Sequence, residues 1–165
     1  MCFEYLERSG LVLRTHVLKH PEEPLFVDDQ QKNAFKCFYF DIGILNTQLK
    51  VPFRSIIEDT WMCSKGPIAE NFVAQQLHHC GQEELMAWKK DNYEIEFLVN
   101  HEAGPIPIEL KASKKSRPSM SLTKFVEQYH PKRAYKLAPR NYGMNQGIVS
   151  LPIYMVEKIV QEPPL

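Results

Sequence analysis

Two short stretches near the middle of the chain constrain its fold more than any other feature: Glu94-Ile95-Glu96-Phe97-Leu98-Val99 and Ile106-Pro107-Ile108-Glu109-Leu110-Lys111. Both alternate apolar and polar residues with a period of two, the spacing that sends successive side chains to opposite faces of a strand. The alternation predicts Ile95, Phe97 and Val99 on one face, with Glu94, Glu96 and Leu98 on the other. Likewise it sets Ile106, Ile108 and Leu110 against Pro107, Glu109 and Lys111. A short loop over 100–105 joins the stretches, so they should pair as an antiparallel hairpin. The register that stacks Val99 on Ile106 would put Glu96 opposite Glu109 and Glu94 opposite Lys111. Carboxylates facing each other across a strand pair lie about 5 Å apart and repel, so a positive group is expected between them. A hard divalent cation bound by carboxylate oxygens meets that need, and Lys111 adds a further charge.

The flanking segments predict what this hairpin packs against. Gly66-Pro67 opens a helix, with proline in the first turn where its missing N–H costs nothing, and Gly81 closes it. Ile68, Ala69, Phe72, Val73 and Leu77 form its apolar arc, and Glu70 sits at the margin of that arc. A strand over 85–89 precedes the hairpin, a helix over 121–129 follows it, and a further strand covers 134–137. Helix, three strands, helix, strand is a mixed α/β order. Upstream, residues 3–9 read as helical turns closed by Gly10, residues 11–18 as a strand, and a polar loop runs through about Asn33. Residues 35–40 read as a buried aromatic strand, after which Asp41 can cap a short helix. Residues 1–64 are therefore expected to form a small module packed on a larger domain spanning 65–165, whose tail ends in a short helix through Val160.

Composition narrows the class. With 44% hydrophobic and 24% charged residues the chain belongs with ordinary globular proteins. No apolar run approaches the roughly 20 residues of a membrane span, and the N-terminus lacks a secretory signal pattern, so a cytoplasmic protein without membrane partners is expected. Cys2, Cys37, Cys63 and Cys80 are too scattered for a zinc knuckle or a disulfide scaffold. His78-His79-Cys80 are adjacent helical residues pointing about 100° apart, a poor start for a metal site. Net charge is zero, yet residues 104–147 hold nine Lys or Arg against Glu109 and Glu127. Such a surplus is either a solvated face or a surface for an anionic partner, with DNA the obvious candidate. Glu70, Glu96, Glu109 and Lys111 together suit phosphodiester cleavage. A Mg²⁺ ion on Glu96 and Glu109 would polarise the phosphate and activate a water, Lys111 would stabilise developing charge, and Glu70 would hold the ion's water shell. The plainer alternative is a charged sheet edge with cross-strand pairs.

Several motifs in order carry a family resemblance: Phe38-Tyr39-Phe40-Asp41-Ile42-Gly43-Ile44-Leu45, Gly66-Pro67-Ile68-Ala69-Glu70-Asn71-Phe72-Val73, Trp88, Glu94-Ile95-Glu96-Phe97-Leu98-Val99, Pro107-Ile108-Glu109-Leu110-Lys111, Ser121-Leu122, and Tyr129 with Pro131. Across nearly the whole chain these resemble the C-terminal domain of unknown function carried by many bacterial and archaeal AAA-type ATPases. The resemblance implies a winged-helix remnant followed by a restriction-endonuclease-like, PD-(D/E)XK nuclease fold. In it Glu70 matches the helix acid, Glu109 and Lys111 the E-x-K motif, and Glu96 the position usually held by Asp. It implies catalytic roles for all four and an ATPase domain as partner, although this sequence contains no G-x-x-x-x-G-K-[ST] phosphate loop. Two other readings stay open. In one, a non-catalytic module of the same fold binds DNA or a protein partner and keeps the four residues as a salt-bridge cluster; in the other, a structural domain docks on the ATPase. Nothing in the sequence decides the oligomeric state.

Overall fold

The computed structural model describes residues 2–21, 25, 34–58, 65–101, 104–112 and 119–161. Most of the polar loop expected before Asn33 lies outside them, as does the expected boundary at residue 64. In chain order the elements are α1 (Cys2–Arg8), β1 (Val12–Leu18), β2 (Phe35–Tyr39), α2 (Ile42–Gln48), α3 (Phe53–Ile57), α4 (Lys65–His79), β3 (Leu85–Lys90), β4 (Tyr93–Val99), β5 (Ile106–Leu110), α5 (Met120–Tyr129), β6 (Ala134–Leu137), β7 (Gly143–Asn145), β8 (Ile148–Leu151) and α6 (Val156–Gln161). The strands form one mixed sheet in the order β2-β1-β3-β4-β5-β6-β8-β7.

Local chemistry explains the boundaries. Gly10 takes a positive φ of 69° and ends α1. Asp41 caps α2, its side chain accepting the amides of Gly43 and Ile44, and Ser119 accepts the Leu122 amide at the start of α5. At the other end of α5, His130 holds the left-handed conformation that glycine usually supplies.

Helices cover both sheet faces. On one side Val73, Ala74 and Leu77 of α4 and Val156 and Ile159 of α6 pack on Phe97, Val99, Ile106, Ile108, Leu110, Tyr135 and Leu137. On the other, Leu122 and Phe125 of α5 pack on Met86, Trp88, Ile95 and Leu98. Trp88 is fully buried there, and its ring meets those of Phe125 and Tyr129 edge-on at 5.2 and 5.9 Å. A parallel strand buried on both faces should read as a continuous apolar run. β6 does so except at Lys136, which is 7% exposed.

The expected hairpin is present: β4 and β5 are antiparallel neighbours in the register Val99↔Ile106, Leu98↔Pro107 and Phe97↔Ile108. Two expectations require correction. First, β3 pairs Trp88 with Ile95 but Met86 with Leu98, so β4 takes three steps where β3 takes two. This bulge breaks the alternation: Ile95 and Leu98 share the α5 side, while Phe97 and Val99 face α4. Second, the pairing of β4 with β5 ends at Phe97↔Ile108, short of the expected Glu96–Glu109 and Glu94–Lys111 pairs. On its other side, Glu94 pairs with Lys89 of β3.

β1 and β2 also extend the same sheet. β1 runs parallel to β3, with Thr15↔Leu85 through Leu18↔Trp88 in register, and β2 pairs antiparallel with β1 at the edge. β7 and β8, which sequence periodicity did not announce, form a second hairpin, and β8 lies parallel to β6.

Candidate functional site

Beyond Phe97↔Ile108, where the ladder between β4 and β5 ends, a backbone amide of β5 needs another acceptor. The Leu110 N–H donates to the Glu96 carboxylate, at 3.0 Å from Oε2, so a side chain takes the place of a strand carbonyl. This holds Glu96 in the opening between the two strands. Burial dominates its titration. Desolvation pushes its pKa up to about 7, and the hydrogen bond from Leu110 and the charge of Lys111 only partly counter this, while Glu109 adds to the rise.

Glu109 follows Ile108 on β5 and points to the α5 side, away from the core lined by Ile108 and Leu110. It is 1% exposed. Its Oε1 accepts from Lys111 Nζ at 2.7 Å, whereas its Oε2 is buried without a hydrogen-bond partner among the described residues. An unsatisfied buried carboxylate oxygen is costly and marks a place where a ligand, ion or water would be favourable. Lys111 lies just past the end of β5 and is partly exposed. Burial opposes its charge, but Glu109, with Glu96 and Glu70 farther off, outweighs this and raises its pKa.

Glu70 reaches the neighbourhood from α4, and its partner is one the sequence reading missed. Lys36 of β2 lies 3.4 Å from Glu70 Oε2 and 2.5 Å from Glu94 Oε1. Burial disfavours its charge, yet these carboxylates and Glu96 hold its pKa above the usual value. For Glu94 burial is outweighed by the Lys36 hydrogen bond, so its pKa is lowered. The one available signal was a lone lysine in the aromatic run Phe35-Lys36-Cys37-Phe38-Tyr39. The helix itself is anchored by buried Asn71, which accepts the Tyr39 N–H at 2.8 Å and donates to the Tyr39 carbonyl at 2.9 Å.

Lys136 is the second residue missed. In the parallel pairing of β5 with β6 it is the register partner of Glu109. Desolvation lowers its pKa; Glu109 resists that, and the positive charges of Arg140 and Lys111 reinforce it.

Lys111 thus lies within electrostatic reach of the other three expected residues, but these fall into two groups: Glu96 and Glu109 with Lys111 at the β4–β5 opening, and Glu70 drawn to Lys36. Among the described residues no group of three or more His, Cys, Asp or Glu is disposed to hold a metal ion. A cation here would draw on two carboxylates and complete its shell with water, which Mg²⁺ tolerates because it dehydrates reluctantly. Glu109 Oε2, within electrostatic reach of Glu96, would be one ligand and the Glu96 carboxylate the other. His78 and His79 are exposed on α4, and Lys114, Lys115 and Arg117 of the basic stretch lie outside the described residues. No helix among the described residues is long and apolar enough to cross a membrane.

No curated protein and no solved structure matches this chain. A family model does, over residues 65–156, from the start of α4 to the start of α6. That is more than half of the 165 residues, and the chain therefore belongs to the family described as Domain of unknown function (DUF4143).

Proposed function

We propose that the chain is a nuclease-like module whose Glu96–Glu109–Lys111 centre binds Mg²⁺ or Mn²⁺ and acts on a phosphodiester of DNA. The observation that carries this reading is the buried Oε2 of Glu109, without a hydrogen-bond partner among the described residues and within electrostatic reach of the Glu96 carboxylate. The element order agrees with it: helix α4, the antiparallel run β3-β4-β5, helix α5 and the parallel strand β6 match what the resemblance to PD-(D/E)XK domains implies. The cation would polarise the phosphate and lower the pKa of a bound water. The chain's own residues would do the rest. Glu96 and Glu109 hold the ion, Lys111 offsets charge that develops on the phosphate oxygens, and Glu70 orients water at the rim. Docking on an AAA-type ATPase domain belongs to the same proposal through the family resemblance.

A second reading is favoured by the ion pairs already in place. Lys111 neutralises Glu109, and Lys36 bridges Glu70 and Glu94, as expected of a non-catalytic module that binds DNA or a protein partner. Thermal melting separates the two. A cation present at about ten times its Kd stabilises by about 1.4 kcal/mol, a rise of about 3 to 5 °C for a chain of this size. Millimolar Mn²⁺ or Mg²⁺ should produce that rise in the parent and not in Glu109→Gln, while Glu96→Asp should retain it. The parent should also cleave DNA when the metal is present. No metal-dependent shift in a folded parent leaves the non-catalytic reading.

A further inference from the structure

We propose that the cleft between the carboxyl end of α4 and the start of α6 binds an organic cation, an alkylammonium or guanidinium group carried on an apolar stem.

The cleft encloses about 460 Å³ and is bordered by the turn between α1 and β1, the end of β2, the last turn of α4 and the first turn of α6. That volume falls in the range of sites that take small molecules. Its place in the fold separates it from the Glu96–Glu109–Lys111 centre. Glu70, the residue of α4 nearest that centre in the proposed scheme, precedes His79 by nine residues, a separation of roughly 13 Å along a helix axis. The cleft is also braced from outside. The Ile42 amide at the start of α2 donates to the side-chain oxygen of Gln75 at 3.2 Å, which fixes one wall before any ligand arrives.

Three features of the lining select the ligand. The first is charge. Glu157 supplies one carboxylate, His78 and His79 carry no permanent charge, and among the described residues no lysine or arginine lines the cleft. The second is the helix. Gln76, His78 and His79 belong to the last turn of the 15-residue α4, whose macrodipole places partial negative charge at this end. The third is the apolar part. Leu13 is 7% exposed and anchored in the core, whereas Phe40 is 41% exposed at the rim. An aliphatic stem can lie on these two while its charged head meets Glu157, as lysine and arginine stems do on apolar surfaces, and an aromatic ring attracts a cation to its face. An anion would be repelled by both the carboxylate and the helix end. The cation has two sources, a free amine or a basic side chain of a polypeptide.

The test is isothermal titration of the full chain at low salt, with spermidine and a capped tri-arginine peptide as probes. Saturable one-to-one binding of at least one probe is expected, weakening as salt is raised. Glu157→Lys, a change at an exposed position, should weaken it at least about ten-fold, because attraction is replaced by repulsion. Phe40→Leu should weaken it about two- to five-fold. Glu127→Lys changes the net charge equally but lies on α5, which packs on the other sheet face, and should leave the affinity unchanged. Tighter binding of spermidine identifies a free amine as the ligand, and tighter binding of the peptide identifies a basic polypeptide segment. No saturable binding of either probe, or an equal loss in Glu157→Lys and Glu127→Lys, overturns the proposal.

Discussion

Replacing Glu96 with Gln should remove a pH dependence of stability that the parent carries. In the folded chain the Glu96 carboxyl titrates at about 7 against an ordinary value of 4.5, chiefly because it is desolvated in the β4–β5 opening. Its folded pKa is raised, so the folded state binds the extra proton. The associated stability is fully present below pH 4.5 and is lost as pH rises through about 7. The difference corresponds to roughly 3 kcal/mol, or about 6 to 12 °C in melting temperature; because Glu96 is only part-buried, this is an upper figure. Glu96→Gln keeps an oxygen to accept the Leu110 amide and mimics the protonated form. At pH 5 the two chains should melt close together, and at pH 8 the Gln form should be the more stable. Plotting the difference between their melting temperatures cancels titrations common to both. Millimolar Mg²⁺ should narrow the gap at pH 8, since an ion replaces the proton as the positive partner of the carboxylate. Parallel melting profiles from pH 5 to 8 would refute the argument that Glu96 is held neutral by burial.

Two core predictions follow from packing. Trp88→Ala should cost about 3 to 5 kcal/mol in denaturant melts, because a fully buried ring that meets Phe125 and Tyr129 leaves a cavity under α5. Asn71→Ala should cost about 1 to 3 kcal/mol and speed hydrogen exchange at the Tyr39 amide, which loses its acceptor.

Much of the architecture was legible in the sequence because its signals are local. The register of β4 on β5 followed from alternation on either side of a short loop, and the helix ends followed from Gly10, Asp41 and Pro67. The bulge was not legible. Nothing in Glu94-Ile95-Glu96-Phe97-Leu98-Val99 marks which residue is extra, because the choice is made by β3 and by the need to bury both Ile95 and Leu98 against α5. The same limit applies to the site. Glu96, Glu109 and Lys111 were found because they break an apolar pattern on adjoining strands. Lys36 and Lys136 depend on partners about 60 and 27 residues away in sequence: Glu94, beyond two intervening strands of the sheet, and Glu109 on the adjoining strand. The hairpin β7–β8 was missed because Gly143–Asn145 is short and mostly exposed, so it carries almost no hydrophobic period.

The parallel seam between β1 and β3 bears on how this family segment can exist. Residues 65–156 carry the family signature, but the strand that begins their sheet, Leu85-Met86-Ala87-Trp88, is wholly buried and takes its outer backbone partners from Thr15–Leu18. A chain trimmed to the signature would present that strand as a bare, apolar edge, the kind of template on which proteins aggregate. In this chain the unit that folds is therefore wider than the stretch that carries the signature, since β1 closes the sheet that residues 65–156 leave open.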